Sequence, residues 1–98
     1  RNRAPGGKLY HIEVSPAAER DLGRLKDHLR RRDFERLRAA VGGLSEEPRP
    51  RGVRKIKGAE RAYRIRAGDY RVVYEVYEDQ KLVLILHAGR RKETTYKR

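Results

Sequence analysis

The sequence predicts an α+β fold in the order β-α-α-β-β-β, an antiparallel sheet with an N-terminal helical hairpin packed on one face. Two observations carry this. Apolar residues recur at helical spacing between Ala18 and Leu44 and then switch to alternation in residues 62–67 and 70–77. The two helical patterns are also separated by so few residues that they must run antiparallel as neighbours. Residues 1–7, rich in Arg, Pro and Gly and without periodicity, read as a flexible arm. Residues 8–98 read as one domain, since a chain of 98 residues has room for a single compact core.

In residues 8–14, Tyr10, Ile12 and Val14 alternate with Leu9, His11 and Glu13, giving the first strand a buried and an exposed face. Ser15-Pro16 supplies an N-cap and a first helical position in the order helices prefer. Ala18, Leu22, Leu25 and Leu29 then share one helical face, and the helix is expected to end near Arg31. Asp33 is the expected cap of a second helix whose apolar face is Phe34, Leu37, Val41 and Leu44, with Pro48 and Pro50 closing the hairpin. Residues 62–67 and 70–77 alternate and meet at Gly68-Asp69, a link short enough for a β-hairpin. Residues 81–88 contain Leu82-Val83-Leu84-Ile85-Leu86, apolar on both faces, as a central strand requires.

Composition removes several classes of function. The chain has no Cys, which excludes a disulfide scaffold, thiolate zinc binding and a cysteine nucleophile. His11, His28 and His87 are scattered without metal-ligand spacing, so neither a metal nor another cofactor is expected. No segment approaches the roughly 20 apolar residues needed to span a bilayer, which leads us to expect a soluble, cytoplasmic protein with no membrane partner. Charged residues make up 41% of the chain while Met, Cys and Trp are missing, a bias that fits either a thermophilic source or GC-rich codon usage.

Charge gives the positive lead. The 26 Lys and Arg outnumber the 14 Asp and Glu, for a net charge of +12. Residues 1–48 carry 11 basic and 8 acidic side chains and residues 49–98 carry 15 and 6, so the excess sits in the second half. Strand alternation places Arg64, Arg66 and Arg71 opposite the apolar set Tyr63, Ile65, Tyr70, Val72 and Tyr74. Three guanidinium groups on one face can grip phosphate oxygens bidentately, or they can form a solvated face of an Arg-rich sheet. Arg54, Lys55 and Lys57 before the hairpin and Arg90, Arg91 and Lys92 after the last strand extend the basic surface toward RNA binding. With the other tyrosines on the core side, Tyr77 and Tyr96 are the rings left to stack on bases.

Lys57-Gly58, Tyr63-Arg64-Ile65-Arg66, Gly68-Asp69-Tyr70-Arg71-Val72-Val73-Tyr74 and Gly89-Arg90-Arg91 with Tyr96 downstream resemble the RelE/ParE superfamily of toxins, in particular its RelE-like messenger-RNA interferase branch. The resemblance spans residues 8–96. It implies the toxin of a type II toxin–antitoxin pair: a metal-independent endoribonuclease that cuts mRNA in the A site of the 70S ribosome and inhibits translation. It also implies a cognate acidic RelB-like antitoxin that binds the toxin in a hetero-oligomeric complex. The family's active-site positions fall on Arg64, Arg66, Arg71, Arg91 and Tyr96, and Lys57 matches a basic position before the hairpin. Some RelE members carry Lys where this chain has Arg64 and Arg66. An arginine stays protonated, so a general base would have to come from Tyr96, Lys57 or the ribosome.

Two other functions share the fold or the charge. A ParE-like toxin would inhibit DNA gyrase without cutting RNA, and a non-catalytic basic module would bind RNA without cutting it.

Overall fold

The computed structural model describes residues 9–90. Seven elements follow in order: β1 (His11–Val14), α1 (Pro16–His28), α2 (Arg31–Gly43), β2 (Arg54–Lys55), β3 (Ala62–Ala67), β4 (Tyr70–Tyr77) and β5 (Leu82–Arg90). The sheet order is β1-β5-β4-β3-β2. The expected α+β architecture holds, with two additions. A two-residue strand, β2, covers part of the β3 edge, and β1 joins β5 in parallel while all other pairs are antiparallel.

Ser15 makes the strand-to-helix transition. Its N–H donates to the Ile85 carbonyl at 3.0 Å, continuing the β1–β5 ladder, while its Oγ accepts the Ala18 N–H at 3.1 Å and caps α1. The same hydroxyl donates to the Leu86 carbonyl at 3.3 Å. Where β1 stops, α1 takes over the β5 edge: the Asp21 carboxylate accepts the Ala88 N–H at 3.1 Å. Side chains of the helix thus satisfy backbone groups that a longer strand would otherwise have paired.

The helical hairpin forms as the apolar spacing requires, with shifted ends. Leu29 terminates α1 and donates its N–H to the Leu25 carbonyl; extended Arg30 is the N-cap of α2, with no side-chain bond. Asp33, expected to be that cap, lies in the first turn, where its carboxylate faces the positive end of the helix dipole. Helix α1 lies over β5 and α2 over β3.

Between the layers lies one core built from Ala18, Leu37, Leu44, Ile65, Val72, Tyr74, Val76, Val83, Ile85 and Ala88. Tyr74 is its largest member and is fully buried; its hydroxyl donates to the Pro48 carbonyl at 2.6 Å, and burial pushes its pKa well above the ordinary phenol value. That bond fixes the segment after α2 against the sheet. Arg49 pairs with Glu78, which also accepts the Tyr10 hydroxyl at 2.6 Å, tying the same segment to the β4–β5 turn.

Candidate nucleic-acid interface

The β3–β4 hairpin turns at Gly68-Asp69, where Gly68 alone takes a positive φ of 66°, the pattern of a type II′ turn. This turn sets the register that builds the site. Arg66 lies directly opposite Arg71, and Arg64 opposite Val73, all on the face away from the helices. On the other side of β3, Arg54 of β2 lies opposite Arg64. Two like-charged cross-strand pairs therefore stand in neighbouring rows. Such pairs oppose folding unless an anion or solvent screens them.

Strand β2 ends the sheet early. Ile56 N–H donates to the Ala62 carbonyl at 2.9 Å, while the Arg61 carbonyl accepts from Val76 at 3.0 Å, so the even-numbered residues of β3 turn their backbone groups away from β4. Arg64 meets Arg54 there, but among the described residues no strand covers Arg66 on that side. An open groove runs around this bare edge. Ala39, Ala40 and Gly43 of α2 line it on the helix side, with Arg51 and Gly52 of the segment after α2 and Arg64, Arg66 and Arg71 of the sheet.

Ion pairing is distributed unevenly. Arg24 pairs with Asp21, Arg38 with Glu35, Arg49 with Glu78 and Arg61 with Glu60, all away from the groove. Among the described residues, Arg51, Arg54, Arg64 and Arg66 meet no carboxylate. Uncompensated guanidinium groups gathered on a concave surface focus a positive potential on whatever enters it.

The other basic positions read from the sequence are dispersed. Lys55 falls on the opposite face from Arg54 because of the strand pleat; its Nζ donates to the carbonyls of Ala59 and Glu60 and lies 5.5 Å from the Tyr63 ring centre. Lys57 is exposed in the turn before β3. Arg90 lies opposite Tyr70, with its guanidinium 5.5 Å from that ring's centre on the helix-facing side. Tyr77 stands at the far end of the sheet, where its hydroxyl donates to Glu75 at 2.6 Å, a bond that raises its pKa, and Arg61 covers its ring. The arm at residues 1–7 and the expected site residues Arg91, Lys92 and Tyr96 lie outside the described residues.

Two further arginines, one lining the groove and one beside it at Gly68, were not singled out by the sequence. Arg51 was hidden in a Pro-Arg-Gly turn, a pattern that signals a loop and nothing more. Arg36 lies on α2 and belongs to no motif. The structure brings its Nη1 to 3.0 Å from where a Cβ at Gly68 would stand, so it lies across the hairpin turn. Among the described residues no group of three or more His, Asp or Glu could hold a metal ion, and no helix is long and apolar enough to cross a membrane.

A two-helix hairpin over a five-stranded, mostly antiparallel sheet, with arginines massed at one bare edge, defines the class: the fold of the RelE/ParE toxins. Comparison with known proteins agrees. Residues 12–95 match the family described as the ParE toxin of the type II toxin–antitoxin system parDE, and the chain belongs to that family. It is similar to the toxin RelE of Mycobacterium tuberculosis, 33% identical over 82 residues that cover 84% of this chain and 81% of the relative. Among solved structures it resembles the archaeal RelE–RelB complex from Pyrococcus horikoshii, with 29% identity, a TM-score of 0.71 and coverage of 87% of this chain and 98% of that one. The RelBE2 toxin–antitoxin complex of Mycobacterium tuberculosis is similar at 25% identity and a TM-score of 0.70, over 87% of this chain and 94% of that one. Within the superfamily the chain is RelE-like.

Proposed function

We propose that this protein is a ribosome-dependent endoribonuclease that acts in the cytoplasm, cleaving mRNA in the A site of the 70S ribosome and arresting translation. The observation that carries the proposal is the gathering of Arg54, Arg64 and Arg66, unpaired with any described carboxylate, around one open groove. The RelE names of the relatives support the same reading. An acidic RelB-like antitoxin is the proposed partner, in a hetero-oligomeric complex like those in which the structural neighbours were solved.

The chemistry follows from the charge. A ribose 2′-oxygen attacks the adjacent phosphorus, the bond from phosphorus to the 5′-oxygen breaks, and the products are a 2′,3′-cyclic phosphate and a 5′-hydroxyl. The intermediate state carries additional negative charge, which guanidinium groups already held in place stabilise without reorganising. Arg71 takes this role, next to Arg66, and Arg64 and Arg66 hold the phosphate. Arg91 stabilises the leaving 5′-oxygen, and Tyr96 stacks on a base or moves a proton. Arginine does not give up its proton at neutral pH, so the group that accepts the 2′-proton is not among the groove arginines. Positioning of the message by the ribosome supplies the alignment that arginines alone cannot.

The experiment is incubation of the purified protein with ribosomes carrying a defined codon in the A site, followed by end-group analysis. Cleavage ending in a cyclic phosphate is expected, and its loss in Arg71→Ala. The ParE name of the matching family favours keeping a second reading, inhibition of DNA gyrase. A supercoiling assay that shows inhibition, with no RNA cut on ribosomes, would reverse the ranking.

A further inference from the structure

We infer that α2 provides a second phosphate subsite at Arg36, so that an RNA strand in the groove is held from the helix side as well as from the sheet. The inference rests on the reading that the groove binds RNA. Its first support is position. Arg36 Nη1 lies 3.0 Å and Cδ 3.9 Å from the place of a Cβ on Gly68. Gly68 itself lines the groove, and the cross-strand pair Arg66 and Arg71 stands one step from the turn. The side chain therefore reaches from one layer of the fold to the tip of the other, at the end where the sheet arginines converge. Gly68 serves both its own positive φ and the passage of this side chain.

The second support is availability. Asp33 and Glu35 flank Arg36 on α2 and Asp69 follows Gly68, yet Arg36 forms no ion pair with any of them. Glu35 pairs instead with Arg38 at 3.3 Å. A guanidinium carries five N–H donors, and those of Arg36 form no hydrogen bond among the described residues. They remain for an incoming acceptor.

The third support is the shape and chemistry of the wall beside it. Ala39, Ala40 and Gly43 follow Arg36 on α2 and line the groove, so no bulky side chain stands on that wall. A Cβ added at Gly43 would meet nothing within 4 Å. Ile65 is the one large apolar residue on the groove, and it is only 6% exposed. A bound amphipathic peptide needs apolar pockets for large anchors, and beside Ile65 this groove offers only Pro50 and two alanines. A phosphodiester strand needs none, since it repeats a charge along its length. A strand bending around the β3 edge would pass from Arg66 and Arg71 to Arg36.

The test uses the full chain and a short single-stranded RNA with 2′-O-methyl groups, which cannot be cleaved. Binding is followed by fluorescence anisotropy across a range of salt concentrations. Relative to wild type, Arg36→Ala should weaken binding several-fold at low salt and lower the slope of log affinity against log salt by about 0.7, the value for one phosphate on a single strand. Arg36→Lys should restore the slope. Arg20→Ala, on α1, should match wild type. If Arg36→Ala keeps the wild-type slope while Arg66→Ala lowers it, the subsite is refuted and the RNA reading stands. If neither substitution alters the slope, the groove is not the RNA path and both fall. An acidic polyglutamate peptide that binds more tightly than the RNA, and depends on Arg36, would also overturn the subsite. Circular dichroism melting of Arg36→Ala within a degree or two of wild type separates these results from misfolding.

Discussion

Arg66 and Arg71 face each other across the β3–β4 ladder, and the next row places Arg54 opposite Arg64. A stable hairpin would normally put opposite charges or β-branched side chains at such positions. Like charges directly opposed are destabilising, on the scale of about 0.2–1 kcal/mol for one cross-strand pair. Like charges placed in this way work against stability, as sites built for a charged ligand commonly do.

The first prediction follows from that conflict. Arg66→Thr, which relieves the repulsion and suits a strand, should raise the urea midpoint by an amount equivalent to about 0.2–1 kcal/mol while abolishing RNA cleavage. Added salt should narrow the stability difference between the two proteins by screening the pair. Equal stability in low salt would show that the repulsion is relieved in some other way.

Ser15 joins β1, α1 and β5 through four hydrogen bonds, two of its backbone and two of its hydroxyl. Ser15→Ala should destabilise the fold by about 1–2 kcal/mol through loss of the cap and of the bond to Leu86. Urea denaturation measures this, and cleavage per folded molecule should stay at the wild-type level, because the groove lies on the far side of the sheet order.

Tyr74 gives a pH prediction. Its folded pKa lies above the ordinary value of 10.0 because burial disfavours the phenolate. The stabilisation is fully present below pH 10.0 and is lost as the pH rises further, since the unfolded chain releases this proton before the native one does. The contribution to the slope is at most about 1.4 kcal/mol per pH unit. Tyr74→Phe should flatten the fall in stability above that pH. At neutral pH it should be less stable by about 1–3 kcal/mol, because the Pro48 carbonyl loses its donor. Parallel alkaline profiles for the two proteins would contradict this account.

How much of this was legible in the sequence depended on the range of the interaction. The period-2 stretches 62–67 and 70–77 became β3 and β4 with the expected bounds, because alternation and a Gly-Asp turn are local signals. They also fixed the shared face of Arg64, Arg66 and Arg71. The parallel pairing of His11–Val14 with β5 was not legible, since no local pattern records the sense in which a distant strand joins a sheet. Nor was β2, whose two exposed residues carry no alternation. Lys55 looked equivalent to Arg54 until the pleat placed them on opposite faces. The position of Arg36 against Gly68 is a purely tertiary fact, created by how α2 lies over β3.

The central claim is that groove arginines cut RNA on the ribosome. The most direct measurement is primer extension on a translated message after brief induction of the wild-type protein and of Arg66→Ala, with antibody detection confirming equal amounts of each. The account predicts new 5′ ends at A-site positions for wild type, confined to translated regions and reduced at least tenfold in the variant. Growth arrest by the wild-type protein without new ends in translated messages would contradict it.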